Sequence, residues 1–462
     1  MSRLIDQEEN FAGNFGAAFR SSAIFYKPNG IKTTISLSNY WSFKNNLDVT
    51  LLFSTRDLKG NLISREVLDF QSGNILNFSV DKLEEGSIEV EAFSSKNLRI
   101  PYAAIMCVYE DENSISMVHS YSRNHSLIEL EDDNAIVVGR ESCWTVRGAS
   151  SIRNCAVFHN GHLEIPSQIG KLIITNVEGC DFEYSFKLPR LNAFETYLFE
   201  IDSVVPNLKK VLKDDIGWAT VHFLSKSSFT RLLVIWQDVQ RKEFQVTHSN
   251  FDYTSHKTNH VTSAKPAYMT LPKVNGVLPS VIVYPKFSSG TYTLNGTKKF
   301  KSGLVYVTNS KKLTFEGNGK ELPARIVTAI TGKSSDSASL PYECSLGVVH
   351  EKCPPKRFHW FLVSGEHETL IHITSYSEIY PCDNVQINLC FRLYLPNSKE
   401  VLEKTFVYGS LEEIPSEIEA KELFDLSVFN GFACISLFSH FGGFVVYSSL
   451  KKNNSMTLEH SF

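Results

Sequence analysis

Long apolar segments are missing from this sequence. No run approaches the roughly 18 apolar residues that a membrane-spanning helix requires. Residues 1–10 contain no apolar core of the length found in signal peptides. We therefore expect no membrane insertion, and the cytoplasm is the expected location.

A block of basic residues is missing as well. The chain has 46 Lys and Arg against 50 Asp and Glu, which gives a net charge of −4. Nucleic-acid binding depends on clustered positive charge against phosphates. No nucleic-acid partner is expected.

Motifs that would identify an enzyme are also missing. The spacings H-E-x-x-H, C-x-x-C and G-x-S-x-G do not occur, and there is no glycine-rich phosphate loop or dinucleotide fingerprint. The sequence therefore predicts no cofactor and favours a protein that is not an enzyme.

Aromatic residues, in contrast, are plentiful. There are 32 Phe and 18 Tyr against only 5 Met, a composition that favours sheets over helices. The chain of 462 residues is too long for one ordinary core, and its length predicts about three domains.

A nine-residue pattern occurs three times, at residues 86–94, 217–225 and 431–439. Each copy has a glycine, then apolar residues at every second position, then an apolar pair and a serine. This period of two is typical of a strand with one buried face. Each copy is followed by an apolar strand, a polar turn and a last strand that ends in His-Ser, at His119, His248 and His460. Such pairs of strands predict β-hairpins.

These repeats predict an all-β fold of three tandem immunoglobulin-like β-sandwich repeats, with a β-rich insert between the second and the third. In the second repeat, residues 156–158 are equated with the first strand of the first repeat. Short helices are expected within 205–213 and 414–424. The predicted boundaries are 1–123 for an N-terminal arm and the first repeat, 124–253 for a bridge and the second, 254–339 for the insert, and 340–462 for the third.

The three histidines that end the hairpins allow two interpretations. If the repeats surround a common axis, His119, His248 and His460 converge and can form a zinc-type site with an open fourth position. If each histidine only closes its own sandwich, the three lie far apart. We favour separation, because Glu459 is the only carboxylate beside any of them that could orient a metal-bound imidazole.

Two other polar patterns are weaker candidates. The serine after each of these histidines points to the opposite face of its strand, so the two residues cannot act as nucleophile and base for each other. His159, His162 and Glu164 have atoms that can bind a metal, but a solvated hairpin turn explains them better.

Aromatic residues in predicted loops are the remaining functional signal. Such residues on a rigid sandwich stack on sugar rings or contact protein partners, although they can also fold back over the sandwich edge. The candidate binding residues are Tyr40, Trp41, Trp144, Phe251, Tyr253, Tyr376 and Tyr380.

Together these features predict a non-catalytic binding or assembly protein that recognises a protein or glycan partner, and a homo-oligomer is possible. The alternative is an enzyme, metal-dependent or not, whose site lies where the repeats meet and uses His119, His248 and His460. A third hypothesis is a structural subunit of a shell or fibre, because sandwiches with edge strands can join end to end.

Overall fold

The computed structural model describes most of residues 18–461. The residues outside that description are 1–17, 40, 43–48, 71–73, 95–104, 121–136, 139–142, 214–215, 226–230, 251–261, 264, 275–276, 278, 285–291, 301–302, 318–321, 324–325, 333–339, 350–352, 381–385 and 462.

The protein is all-β, as the sequence predicts. Within the described residues, one arrangement of eight strands occurs four times along the chain. In each of these four units, strands 1, 6, 3 and 4 form a sheet that we call the front sheet, and strands 5, 2, 7 and 8 form the back sheet. An immunoglobulin constant-type domain has its first two strands in one sheet. In this protein the first two strands lie in different sheets, so the strand order is not the immunoglobulin-like one that was predicted.

The first unit is organised around its sixth strand. Val90 of that strand pairs with Ala23 on one side and with Phe53 on the other, and all three side chains are buried. The residues of this strand that were predicted to face the core are buried, but Ser87 and Glu89 on its other face are buried as well, so the prediction of a strand with one buried face is wrong. The strands are β1 (Ala18–Lys27), β2 (Lys32–Ser38), β3 (Thr50–Asp57), β4 (Leu62–Asp69), β5 (Ile75–Ser79), β6 (Gly86–Ser94), β7 (Ile105–Glu110) and β8 (Ile115–Ser120).

The second unit begins one strand earlier than predicted. Residues 143–147, which lie in the segment 124–153 predicted to be the bridge, form its first strand, so residues 156–158 belong to its second strand. The first strand is buried along its whole length, and it therefore lacks the alternation that identifies a half-exposed strand. The strands are β9 (Val137–Val138), β10 (Cys143–Arg147), β11 (Ile152–His159), β12 (Gln168–Asn176), β13 (Asp181–Leu188), β14 (Thr196–Glu200), β15 (Ile216–His222), β16 (Leu224–Ser225), β17 (Leu233–Asp238) and β18 (Glu243–His248), with β9 and β16 paired outside the eight.

The segment that was predicted to be an insert forms most of a further unit of the same kind, the third in the chain. Most of its strands lie within 254–339 and follow the same order as the strands of the other units, and it ends at Gly347. Its sixth strand begins with Lys312 instead of glycine, so the nine-residue pattern does not reveal it. The strands are β19 (Thr262–Ser263), β20 (Ala267–Thr270), β21 (Ser280–Val283), β22 (Tyr292–Leu294), β23 (Lys298–Phe300), β24 (Leu304–Val307), β25 (Lys312–Gly317), β26 (Leu322–Pro323), β27 (Val327–Gly332) and β28 (Tyr342–Gly347), with β19 and β26 paired outside the eight.

The fourth unit lies within the segment 340–462 that was predicted to hold the third repeat. Its third strand alternates between buried and exposed residues at first and is buried at its end, as expected for one face on a core. The strands are β29 (Phe358–Ser364), β30 (Glu368–Ser375), β31 (Ile387–Tyr394), β32 (Val401–Tyr408), β33 (Glu417–Glu419), β34 (Phe432–Phe438), β35 (Phe444–Lys452) and β36 (Ser455–His460).

Short helices connect some of these strands. They are α1 (Ile201–Val204), α2 (Leu208–Leu212) and α3 (Ala420–Leu423). The helices α2 and α3 lie inside the two segments predicted to be helical. Among the described residues, no helix has both the length and the apolar character needed to cross a membrane.

The nine-residue pattern marks the same strand in the first, second and fourth units. Gly86 begins β6, Gly217 is the second residue of β15, and Gly431 directly precedes β34. The core-facing residues that follow the glycines are buried, as predicted, and they are Ile88, Val90, Ala219, Val221, Ala433 and Ile435. The prediction that these stretches occupy equivalent strands is confirmed.

Each unit packs its front sheet on the back sheet of the next unit. At the first of these contacts, Val157 and Leu233 of the second unit join the apolar core of the first. At the next, Trp218 packs with Tyr284 in an apolar cluster shared by the second and third units. The chain order is thus also the spatial order of the units.

The fourth unit completes a ring. The front sheet of the third unit contacts the back sheet of the fourth, where the Tyr447 hydroxyl donates to the Thr270 carbonyl at 2.9 Å. The front sheet of the fourth unit in turn packs on the back sheet of the first, in an apolar cluster that contains Trp360 and Met117. This last contact joins the two ends of the chain.

Candidate functional site

The eighth strands of the units meet at the centre of the ring. The Ser116 hydroxyl of β8 accepts a hydrogen bond from the Val246 amide of β18 at 2.8 Å. The Thr457 hydroxyl of β36 accepts one from the Met117 amide of β8 at 3.0 Å. The Asn250 side-chain amide, just after β18, donates to the Ser345 hydroxyl of β28 at 2.8 Å. Side-chain hydroxyls therefore join strands that belong to different units.

Three histidines at the ends of these strands converge. The ring centroid of His119 lies 4.6 Å from that of His248 and 4.9 Å from that of His460, and both contacts are edge-to-face. Our preference for widely separated histidines is therefore wrong. The physical reason is the ring, which brings equivalent strand ends to one place.

Each of the three imidazoles directs its Nδ1 atom to an oxygen. His248 Nδ1 lies 2.8 Å from the Ser249 carbonyl, and His460 Nδ1 lies 3.0 Å from the Ser461 carbonyl. A carbonyl only accepts, so these two Nδ1 atoms carry the proton and donate. The Nε2 atoms of His248 and His460 therefore have lone pairs when the rings are neutral.

The carboxylate of Glu459 provides the oxygen for the third imidazole. Its Oε2 atom lies 3.0 Å from His119 Nδ1. One ligand-capable atom from each of His119, Glu459 and His460 lies within 4.8 Å of the others. Glu459 is thus the orienting carboxylate that the sequence offered beside only one of the histidines.

Burial controls protonation at this centre. Burial lowers the pKa of His248 well below its usual value, and the charges of Arg231 and His119 add to the effect. Burial likewise lowers the pKa of His460 to about 3, again with a contribution from His119. Both rings are therefore neutral near pH 7, which is the form that binds metal ions.

Burial acts in the opposite direction on Glu459. It raises the pKa of this carboxyl to about 7, although the charges of His460 and Arg231 and backbone hydrogen bonds favour the ionised form. Arg231, also buried, was not identified from the sequence. No local pattern connects it with a carboxyl more than two hundred residues away.

Among its described residues, the third unit contributes no histidine to this centre. Its last strand, Tyr342–Gly347, has none in its sequence. Cys344 of that strand is buried, and its surroundings include the backbone of His460. The centre is thus built from three of the four units.

The serines that follow the histidines have other roles. The Ser249 hydroxyl accepts a hydrogen bond from the Leu232 amide at 2.8 Å. The Ser461 hydroxyl lies 2.8 Å from Nδ1 of His359. The side chain of Ser120 lies outside the described residues. The two described serine hydroxyls thus contact Leu232 and His359, and the contacts with the adjacent histidines are made by the serine carbonyls.

The second histidine pattern is split by the fold. His159 is buried, with Nδ1 3.1 Å from the Thr196 hydroxyl, and burial lowers its pKa to about 3. His162 is exposed, and Glu164 forms a surface ion pair with Arg190 at 2.5 Å. The prediction of a solvated turn is wrong for His159 and agrees with the other two residues.

The predicted loop aromatics are mostly unavailable to a ligand. Trp41, Trp144 and Tyr376 are each 1% exposed or less, so their assignment as surface binding residues is wrong. Trp144 lies in β10 and packs in the core of the second unit. Tyr380 is half-buried, and its hydroxyl donates to the Cys353 carbonyl at 2.8 Å. The remaining predictions, Tyr40, Phe251 and Tyr253, lie outside the described residues.

Comparisons with known proteins add little. No protein-family model matches the chain, and no curated protein matches it either. Among solved structures, the viral chemokine binding protein R17 encoded by rodent gammaherpesvirus Peru aligns over 75% of this chain and 88% of its own. The identity is 4% and the TM-score is 0.15. A TM-score this low carries no argument about fold or function.

Proposed function

We propose that this protein is a non-catalytic assembly protein that binds a second copy of itself through an exposed edge strand. The observation that carries the proposal is the outer edge of the first unit, strand β4. It lies at the end of the front sheet, paired with β3 on one side. Among the described residues no strand pairs with its other side.

The side chains of β4 are suited to pairing with another strand. Leu62 and Ile63 are 46% and 48% exposed, and Val67 is 68% exposed. Exposed apolar residues on an open edge favour the addition of a further strand, because backbone hydrogen bonds and side-chain burial then form together. Natural proteins usually avoid exposed apolar side chains on an unpaired edge strand, unless the edge binds another strand.

The sequence of β4 is also self-complementary. In a symmetric antiparallel pair centred between Arg65 and Glu66, each arginine lies directly opposite the glutamate of the other copy. The same register sets Ile63 opposite Leu68. Opposite charges and apolar residues that face each other across a strand pair stabilise it by about 0.2–1 kcal/mol per pair. Such self-matching is what a twofold interface requires.

Two observations favour assembly over catalysis or glycan binding. The described serines beside the central histidines, Ser249 and Ser461, are buried, so a substrate in solution does not reach their hydroxyls. The aromatic residues that supported a glycan ligand are largely buried. A protein partner is therefore better supported than a sugar.

Sedimentation velocity across a wide range of protein concentrations tests the proposal. Wild type is expected to associate as concentration rises, with amide exchange slowed in residues 62–69. Val67→Lys is expected to weaken association because it adds a charge to the apolar edge. The matched control is Ile169→Lys, which changes a residue that is 70% exposed on β12, a strand paired on both sides.

Exchanging the charges of Arg65 and Glu66 provides a second test of the proposed pairing. Glu66→Arg creates two arginine pairs across the twofold axis and is expected to weaken association several-fold. The double variant Arg65→Glu, Glu66→Arg is expected to restore it. A wild-type protein that stays monomeric, with rapid exchange throughout β4, would overturn the proposal.

A further inference from the structure

We infer that His119, His248 and His460 bind one divalent transition-metal ion of the zinc type through their Nε2 atoms, at the centre of the ring. Glu459 would act as the positioning residue for His119. This inference goes beyond the proposed assembly function, because it concerns a different part of the molecule and needs no partner.

Two of the ring separations match those of a shared ion. Zinc–nitrogen bonds are about 2.0–2.1 Å long, and tetrahedral geometry then sets imidazole centroids about 5 Å apart. The centroid of His119 lies 4.6 Å and 4.9 Å from those of His248 and His460. Ligand-capable atoms of His119, Glu459 and His460 already lie within 4.8 Å of one another, and the His248 ring would have to shift to bring its Nε2 atom to the same ion.

The hydrogen bonds of the rings select the tautomer that a metal requires. Metal-binding histidines usually donate their second nitrogen to a carboxylate or backbone carbonyl. His248 and His460 donate Nδ1–H to the carbonyls of Ser249 and Ser461, and His119 Nδ1 contacts Glu459. All three rings thus make a contact through Nδ1, and the inference assigns Nε2 as the ligand atom.

His248 supplies an independent observation. His248 is 3% exposed, and its Nε2 atom is buried without a hydrogen-bond partner in the described part of the chain. A buried lone pair without a partner destabilises the fold. The ring of His248 lies 4.6 Å from that of His119, centroid to centroid. A metal ion would satisfy this atom.

The position of the site indicates a structural role for the ion. His248 and His460 end the last strands of the second and fourth units, and His119 is the second-last residue of the last strand of the first unit. An ion bound to all three would connect the two ends of the chain to its middle. A site with ligands from distant parts of a sequence forms only on folding, so metal binding would stabilise the closed ring.

Cobalt titration tests the inference directly. The full chain is purified without a polyhistidine tag, treated with a chelator and titrated with Co²⁺, whose visible absorption reports tetrahedral coordination. We expect one ion per chain, and competition by Zn²⁺ should remove the absorption. The melting temperature is expected to rise when either metal is added.

Two glutamine variants identify the ligands. His248→Gln is expected to abolish the absorption and the rise in melting temperature. His159→Gln is the matched control, because His159 is equally buried and also has an Nε2 atom without a described partner. It should bind Co²⁺ like wild type.

The possible outcomes are distinct. Wild type that shows no cobalt absorption and no metal-dependent stabilisation would overturn the inference, and this measurement needs no variant to fold. Equal binding by wild type and a folded His248→Gln would also overturn it. If His248→Gln does not fold, His460→Gln provides the same comparison.

Discussion

Nδ1 of His119 lies 3.0 Å from Oε2 of Glu459, and this contact joins the last strand of the first unit to the last strand of the fourth. Both groups are buried. The contact fixes the orientation of the imidazole, and it depends on closure of the ring because the two strands lie in the first and last units of the chain.

The first prediction concerns Glu459→Gln. The substitution keeps an oxygen that accepts the Nδ1 proton of His119 but removes the negative charge. Loss of such an orienting carboxylate typically weakens metal affinity about 10–100-fold. We therefore expect Co²⁺ to bind with unchanged stoichiometry and an affinity reduced by about that factor.

The control for this prediction is Glu343→Gln. Glu343 is similarly buried, but it interacts with Arg147 and Tyr284 instead of a histidine. Its substitution should leave cobalt affinity unchanged in the folded protein. An unaltered affinity in Glu459→Gln would show that the carboxylate does not position His119.

The second prediction concerns the buried face of the repeated strand. Val90, Val221 and Ile435 are each 3% exposed or less. Truncating any of them to alanine removes buried methyl groups and leaves a cavity, at a cost of about 1–3 kcal/mol. Urea unfolding measures the loss. Ile169→Ala, at an exposed position outside the proposed association edge, should change the stability by less than about 0.5 kcal/mol.

The strands that could be predicted from the sequence are those whose letters alternate between apolar and polar residues. In β6, alternate residues reach the core of the first unit, and the period of two is visible in the letters although Ser87 and Glu89 on the other face are also buried. β10 was missed because apolar residues point to both of its faces. Trp144 and Val146 face the core of their own unit, and Cys143 packs with the third unit. A short strand with apolar residues on both faces lacks a clear period of two.

The central site could be predicted only in part. The His-Ser repeat correctly identified His119, His248 and His460 as equivalent residues. Whether they meet depends on the packing of front sheets on back sheets around a closed ring. That packing arises from contacts between distant segments, such as Trp360 with Met117. A local sequence pattern does not predict such contacts.

The third prediction concerns acid stability at the closure of the ring. Glu110 of the first unit lies 2.7 Å from Nε2 of His367 in the fourth unit, 3.0 Å from Lys32 and 3.9 Å from Lys452. Burial alone would raise the pKa of Glu110, but the hydrogen bonds and charges of His367 and Lys32 outweigh it and lower this pKa to about 2.

The sign of the effect follows from that lowered pKa. A carboxyl whose pKa is lower in the folded state than its usual value of 4.5 stabilises the fold above pH 4.5 and loses this contribution as the pH falls towards 2. Glu110→Gln is expected to lose about 1–3 kcal/mol at pH 7, allowing for the half-exposed Lys32. The difference between wild type and variant should shrink in urea melts between pH 4.5 and pH 2. A difference that stays constant over this range would contradict the prediction.

The last prediction compares two of the repeated glycines, Gly86 and Gly431, which are required for different structural reasons. A Cβ atom on Gly86 would lie 1.9 Å from the Arg56 carbonyl oxygen, which belongs to the neighbouring strand β3. Gly431 has a φ of +76° but open space around a Cβ, with Asn77 the nearest residue at 3.9 Å. Gly86→Ala must therefore push two strands apart, and we expect a loss of more than about 3 kcal/mol. Gly431→Ala should cost only the left-handed backbone conformation, about 1–2 kcal/mol. Urea unfolding of both variants decides the matter, and an equal or larger loss for Gly431→Ala would show that strand separation is not the dominant cost.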